Sequence, residues 1–324
     1  MTGLQMKDLS IIIPAKEEAE SLPELIGWID RVLPQASLSY EVILIDDGSQ
    51  DNTWGVIRKL AEANSNVRGI RFNRNFGKSA ALQTGFAEAQ GEVVVTMDAD
   101  LQDSPEELPE LRRMIVKDGF DLVSGWKRKR HDPISKTLPS KFFNLVTRKI
   151  SGIPLHDFNC GLKAYRLVVV KNITVYGEMH RYIPLIAKWA GFTKIGEKEV
   201  EHRERKFGTS KYGWERMMRG FLDLLTITIV GRFIQRPMHF FGTWGVLSFL
   251  AGLGFTASLV WQKIDSVFIS KIPMRREIVD QPGFYFALVA LLIGVQLFLT
   301  GFLAELLTRQ SAVKKQYLVI DRVG

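Results

Sequence analysis

The sequence predicts a doubly wound α/β fold on a mostly parallel sheet, followed by amphipathic interfacial helices and two transmembrane helices. Three observations carry that prediction. Continuous β-branched runs alternate with helix-period patterns through the first hundred residues, the arrangement of parallel strands covered on both faces. Polar and acidic clusters stand where those runs end. Phe240–Trp261 and Gly283–Ala304, 22 residues each, hold no charged side chain, and about 20 apolar residues span a hydrocarbon core as a helix.

In chain order, Leu9–Pro14 (LSIIIP), Tyr40–Asp46 (YEVILID), Val67–Phe72 (VRGIRF) and Glu92–Asp98 (EVVVTMD) read as strands, with Asp121–Gly125 as a further one. Between them Glu17–Val32, Asn52–Asn64 and Lys78–Gln90 repeat apolar residues every three to four positions, which predicts helices. Four consecutive basic residues, Lys127–Arg130, then lead into Ser135–Ile150, which holds Phe142, Phe143, Leu145 and Val146. Residues 126–149 carry eight Lys or Arg against one acidic residue, a basic amphipathic surface suited to anionic headgroups or a lipid phosphate. Trp214–Phe233 reads as a second amphipathic segment at the interface, ahead of Arg236 and Pro237.

Composition narrows the class. The 324-residue chain is 46% hydrophobic and 24% charged, ordinary for a soluble protein, yet its two ends differ sharply. A single cysteine, Cys160, excludes an intramolecular disulfide framework and a multi-cysteine metal site. The net charge of +8 implies an anionic partner: nucleic acid, anionic lipid or a phosphorylated substrate. Leu9 and Ile11–Ile13 are too short an apolar run for a signal peptide, which places the N-terminal part in the cytosol. Eight basic residues flank the outer ends of the spans (Arg216, Arg219, Arg232, Arg236, Arg309, Lys314, Lys315 and Arg322) against four in the connecting loop (Lys263, Lys271, Arg275 and Arg276). That bias puts both termini in the cytosol, and the expected location is the cell's inner membrane.

The chemistry sits at strand ends. Pro14-Ala15-Lys16-Glu17 closes the first strand, Asp46-Asp47-Gly48-Ser49 the second and Asp98-Ala99-Asp100 the fourth. Ligands of open parallel sheets bind in the crevice beyond the carboxyl ends of the strands. Two carboxylates there, Asp98 and Asp100, suit Mg2+ or Mn2+, which accept one or two carboxylates plus substrate phosphate oxygens. The five histidines show no metal-ligand spacing.

Six segments in order, SIIIPAKEEAESL, VILIDDGSQDNT, RNFGKSAALQTGF, VVVTMDADLQDSPEELP, DFNCGLKAYR and HRERKFGTSKYG, resemble the family 2 glycosyltransferases that load a polyprenyl phosphate with a sugar. Dolichyl-phosphate mannose synthases and bactoprenol glucosyltransferases belong to that group, and the resemblance covers roughly residues 8–220. It implies a GT-A-like catalytic domain over 1–213, juxtamembrane helices over 214–237, a transmembrane hairpin over 238–310 and a cytosolic tail over 311–324. Position by position, Pro14, Ala15 and Glu17 match the segment holding base and ribose, and Asp46 the strand-end aspartate that contacts them. Gly77 and Lys78 match the lining of the nucleotide pocket, Asp98 and Asp100 the metal pair, and Gln102 a residue beside the metal. Asp157 matches the acidic residue offered as base or acceptor-orienting group. Arg203, Arg205, Ser210 and Lys211 match a loop closing over the diphosphate and the acceptor phosphate.

Physical chemistry agrees with that scheme. A departing nucleoside diphosphate gains negative charge, which a divalent ion and the planar forks of Arg203 and Arg205 stabilise. A lipid monophosphate has a second pKa near ~6 and is already nucleophilic, so Asp157 can orient it without taking a proton. Lys136, Ser140 and Lys141, on the basic amphipathic segment, are candidates for holding that phosphate. The reaction the resemblance implies is inverting transfer of a hexose, glucose from UDP-glucose by preference because the two-span layout resembles that of bactoprenol glucosyltransferases, with GDP-mannose and an aminosugar donor as alternatives. A processive polysaccharide synthase needs more spans and a QxxRW-type motif; a nucleotide-binding scaffold needs no full catalytic set; no nucleic-acid-binding motif is present. Lateral packing of the two-helix anchor predicts a homo-oligomer.

Overall fold

The structure, a computed structural model, describes residues 6–128, 144–145, 147–149, 151–177, 179–203, 237–271, 276–310 and 319–323. Two compact units divide the chain: Met1–Leu225 with Gln316–Gly324, and Thr226–Lys315.

In the first unit eight strands form one sheet: β1 (Leu9–Ala15), β2 (Tyr40–Asp46), β3 (Val67–Phe72), β4 (Val93–Thr96), β5 (Leu122–Trp126), β6 (Lys163–Arg166), β7 (Ile195–Glu199) and β8 (Val319–Val323), in the order β7-β5-β6-β4-β1-β2-β3-β8. The central pairs β4–β1, β1–β2 and β2–β3 are parallel, as is β5–β7; β6 runs antiparallel to β4 and β5, and β8 antiparallel to β3. Both faces are covered. Ile11, Ile13, Val42 and Leu44 face one core; Ile12, Ile43, Ile45 and Val94 face the other. That double burial is why the strands read as unbroken apolar runs.

On the first face lie α1 (Leu22–Gln35), α2 (Thr53–Ala63) and α4 (Leu108–Val116); on the second lie α3 (Lys78–Glu88), α5 (Leu167–Asn172) and α6 (Ile183–Trp189). The approach of α3 is close: a Cβ on Gly85 would stand 2.4 Å from Ile12 Cγ2. A glycine there lets α3 lie tight on β1 and carries Lys78 to the strand ends.

Two boundaries differ from the sequence reading. The first helix begins at Leu22 rather than Glu17, because residues 16–21 form a loop stapled to the neighbouring strand end. Within it the backbone N–H of Glu17 donates to Ser49 Oγ (2.9 Å) and that of Glu18 to Thr53 Oγ1 (2.9 Å), and Glu17 adopts a left-handed φ of 59°. The fourth strand stops at Thr96, which frees Met97–Asp100 to turn into the crevice. The reading of 311–324 as a tail also changes: Val319–Val323 returns to the sheet as its edge strand.

In the second unit α7 (Pro237–Ile264) and α8 (Pro282–Gln310) pair along their lengths, and both are long and apolar enough to cross a membrane. Glycines set their approach. A Cβ on Gly245 would meet Gly294 O at 2.8 Å, and one on Gly252 would meet Ala287 O at 2.9 Å. Small residues give membrane helices this backbone-to-backbone packing.

Candidate active site

The carboxyl ends of β1, β2 and β3 enclose a cleft of about 330 Å3, lined by Lys16, Glu17, Gly48, Ser49, Gln50 and the stretch Arg71–Asn75. Three cations, Lys16, Arg71 and Arg74, face it. Its shape depends on Asp47, which is buried. Asp47 Oδ1 accepts the backbone N–H of Phe76 (2.7 Å), and its Oδ2 that of Gly77 (3.0 Å). Burial pushes the Asp47 carboxyl up, against the pull of those N–H groups. Gly48 and Gly77 both have positive φ (67° and 91°), and a Cβ on Gly48 would collide with the Arg74 carbonyl carbon at 2.4 Å. The 73–77 loop thus lies backbone against backbone on the 46–49 turn.

Asp46 sits deeper than the sequence reading has it. Fully buried, it accepts the Ser49 N–H at Oδ1 (2.8 Å) and pairs its Oδ2 with Arg71 Nε at 3.4 Å. It shapes the cleft and is absent from its lining. Ala15 is buried too, with its carbonyl accepting the Asp47 N–H at 2.9 Å.

Beyond β4 the chain reverses. Leu101 has φ of 61°, a costly conformation for a branched residue and one that clusters at functional turns. Asp98 and Asp100 lie in this reversal. Lys78 Nζ, from the first residue of α3, donates to Asp98 Oδ1. Desolvation works against a charge on Asp98, but the Lys78 ammonium, with Lys127 behind it, overcomes this and holds the carboxyl at about 2. Its other oxygen rests on Gly161, where a Cβ would come within 2.4 Å of Oδ2. Asp100 is nearly buried and accepts the Gln102 N–H at 3.3 Å.

Gln102 and Arg203, far apart in sequence, meet. The Arg203 N–H donates to Gln102 O at 3.1 Å, and Asp103 bridges to His202. The Arg203 guanidinium lies 4.3 Å from the ring centre of Trp28 in α1, a cation–π contact. Asp157 is 1% exposed, and its Oδ1 accepts the Asn159 N–H at 3.0 Å. Arg205, Lys136, Ser140, Lys141, Ser210 and Lys211 lie outside the described residues, as do most of the two amphipathic segments.

Several site residues escaped the sequence reading. Arg71 and Arg74 follow from applying the strand-end rule to β3 as well as to its neighbours. Lys163 is buried, its ammonium donating to Phe158 O (3.2 Å) and Cys160 O, so it braces the turn that carries Asp157 and Gly161. Burial pulls its pKa down. Lys127, its side chain 12% exposed, pairs with Asp103 Oδ1 at 2.7 Å; burial opposes its charge, and the Asp103 carboxylate more than restores it. A lysine inside an apolar strand start is the one sequence signal for Lys163.

A divalent cation fits this edge. Asp98, Asp100 and the Gln102 amide supply hard oxygen donors from one turn, and the Asp98 side chain keeps 35% of its surface open. Among the described residues no three His, Cys, Asp or Glu side chains gather as a cage, so further ligands would come from substrate oxygens.

The model of the glycosyl transferase family 2 matches residues 10–174. Dodecaprenyl-phosphate galacturonate synthase of Rhizobium johnstonii is 35% identical, over 94% of this chain and 89% of that protein. The undecaprenyl-phosphate 4-deoxy-4-formamido-L-arabinose transferase of Aeromonas hydrophila is 34% identical, over 95% and 91%. Among solved structures, mannosyl-3-phosphoglycerate synthase from Rubrobacter xylanophilus superposes with a TM-score of 0.56 at 19% identity, over 70% of this chain and 75% of that one. Glucosyl-3-phosphoglycerate synthase from Mycobacterium tuberculosis, in complex with Mn2+, uridine diphosphate and glucosyl-3-phosphoglycerate, gives 0.52 at 20% identity, over 70% and 80%. These likenesses establish the GT-A-like sheet.

Proposed function

This chain belongs to glycosyl transferase family 2, and from that premise we propose that it moves a sugar from a nucleotide-sugar to the phosphate of a polyprenyl lipid at a membrane. The observation that carries the reading is one sheet edge holding both a cationic cleft and the Asp98–Asp100 turn. Relatives named as polyprenyl-phosphate sugar transferases, aligned over nearly the whole chain, support the acceptor.

In this mechanism Lys16, Arg71 and Arg74 receive the donor's nucleoside diphosphate. Asp98, Asp100 and Gln102 would hold Mg2+ or Mn2+, which neutralises charge growing on the leaving diphosphate. Lys78 keeps Asp98 ionised and in place for that task. An oxygen of the acceptor monophosphate forms the new bond to the anomeric carbon from the face opposite the leaving group. The old glycosidic C–O bond breaks, and its electron pair departs with the diphosphate, so the configuration inverts. With a second pKa near ~6 the acceptor needs little deprotonation at neutral pH. Asp157, locked in its turn, serves geometry and charge balance.

The reading assigns catalysis to residues 1–213 and anchoring to the hairpin at 238–310, with both ends of the chain at the cytosolic face of the inner membrane. Exposed Leu, Phe and Val on the outer sides of α7 and α8 suit lipid and lateral packing with further copies. The donor we favour is UDP-glucose. Relatives named for galacturonate and for 4-deoxy-4-formamido-L-arabinose put those sugars in the same panel as GDP-mannose. Purified chain, undecaprenyl phosphate, Mg2+ and radiolabelled nucleotide-sugars of each kind make the test. One label should enter the lipid phase; if none does, the chain is no such transferase.

A further inference from the structure

Arg71 stands between two acidic positions, and the far end of the chain supplies the second. Residues directly opposite on paired strands put their side chains on the same face. Arg71 is in register with Asp46 of β2 on one side and with Asp321 of β8 on the other. Asp321 is pinned in turn: its Oδ2 accepts the indole N–H of Trp54 at 3.2 Å, and Trp54 is buried on α2. On the opposite face Arg322 Nη1 meets Glu88 Oε1 at 2.7 Å. Deeper along the pair, a Cβ on Gly69 would lie 2.9 Å from Val323 Cγ1, so β8 fits closely on β3.

The ladder then breaks. Arg71 pairs with Asp321 but Phe72 pairs with Val319, which leaves Ile320 as an extra residue and a bulge at that point. Bulges bend the local strand and re-aim its side chains. This one falls where β3 becomes the wall of the cleft, since Arg71–Asn75 line it.

We propose that β8 is a positioning element for the donor site: Asp321, fixed by Trp54, sets β3 so that Arg71 presents its guanidinium to the donor's nucleotide. The inference rests on the nucleotide-sugar reading above and adds a residue 250 positions away from the cleft's Arg71. Asp321 touches no reacting atom and acts through Arg71.

The test uses the full chain in detergent with Mg2+. Titration calorimetry reads UDP and GDP binding, and steady-state kinetics separates donor KM, acceptor KM and kcat. D321A and W54F should each weaken nucleoside-diphosphate binding and raise donor KM about tenfold, the size of one lost hydrogen bond. Acceptor KM and kcat should stay within about twofold. D321N should restore the wild-type value, because an amide oxygen also accepts from the indole. The D321A/W54F double variant should be no worse than either single variant, as expected when both remove one interaction. A W54F chain that melts like wild type and binds as tightly overturns the proposal, whatever D321A does to folding. So does a loss shared equally by donor and acceptor. If wild type binds neither diphosphate, the proposed function falls and takes this inference with it.

Discussion

Lys78 Nζ and Asp98 Oδ1 form an ion pair across the end of the sheet, so the start of α3 and the turn after β4 hold each other. Lys78→Met leaves that carboxylate without its cation. A hydrogen bond to a charged group is worth about 1.5–3 kcal/mol, so kcat/KM should fall roughly ten- to hundredfold. Kinetics at saturating acceptor checks it, and an unchanged value removes Lys78 from the site.

Gly161→Ala attacks the other side of the same carboxylate. The new methyl would sit 2.4 Å from Asp98 Oδ2, so the carboxylate must shift to make room for it. Overpacking of this kind costs about 1–3 kcal/mol. Activity should drop more than tenfold, roughly, while circular dichroism stays native. Full activity in a folded G161A chain contradicts the cradle.

Removing metal should abolish transfer. EDTA should stop turnover, and Mg2+ or Mn2+ should restore it. Asp100→Asn keeps the shape but loses the charge, and a loss of about a hundredfold or more is expected with the fold intact. Turnover in excess chelator excludes the metal role.

Asp157→Asn separates two mechanisms. An asparagine still offers an oxygen to the Asn159 N–H, so the turn survives. A residual rate should remain and rise with pH through about 6, as the acceptor phosphate loses its second proton. A pH–rate profile at saturating donor decides; a flat profile near zero makes Asp157 an obligatory base.

Orientation can be read with thiols. The native Cys160 is buried and gives little background. Cysteine at Ser270, in the segment between α7 and α8, should react with an impermeant reagent outside intact cells, and cysteine at Ser210 should not. The reverse pattern inverts the topology.

The central sheet was legible because both its faces are apolar: Tyr40–Asp46 and Val67–Phe72 match the expected strands residue for residue. Strand-end logic puts Glu17, Asp98 and Asp100 at the carboxyl edge of the sheet, where they lie, since it needs only the direction of the strands. Arg71 and Arg74 give no such signal, because β3 closes in basic residues where its neighbours close in acidic ones. Asp46 was placed at the correct strand end, but its depth depends on the Arg71 partner from the next strand. The pairing of Gln102 with Arg203 spans about a hundred residues and leaves no local pattern. Glu17–Val32 looked helical from its apolar spacing, yet hydrogen bonds to Ser49 and Thr53 hold its first residues in a loop.

Trp54 and Asp321 lie 267 residues apart, and that separation sets an order of assembly. During synthesis β3 emerges early, whereas β8 appears only after both apolar helices have left the ribosome. At about 5–20 residues per second, the edge of β3 waits some ten to fifty seconds with its backbone groups unpaired. An open edge is where strands of other chains can add, so newly made copies are most prone to clump in that interval. Pulse-labelled chains should therefore resist protease fully only once β8 has been made and has closed that edge.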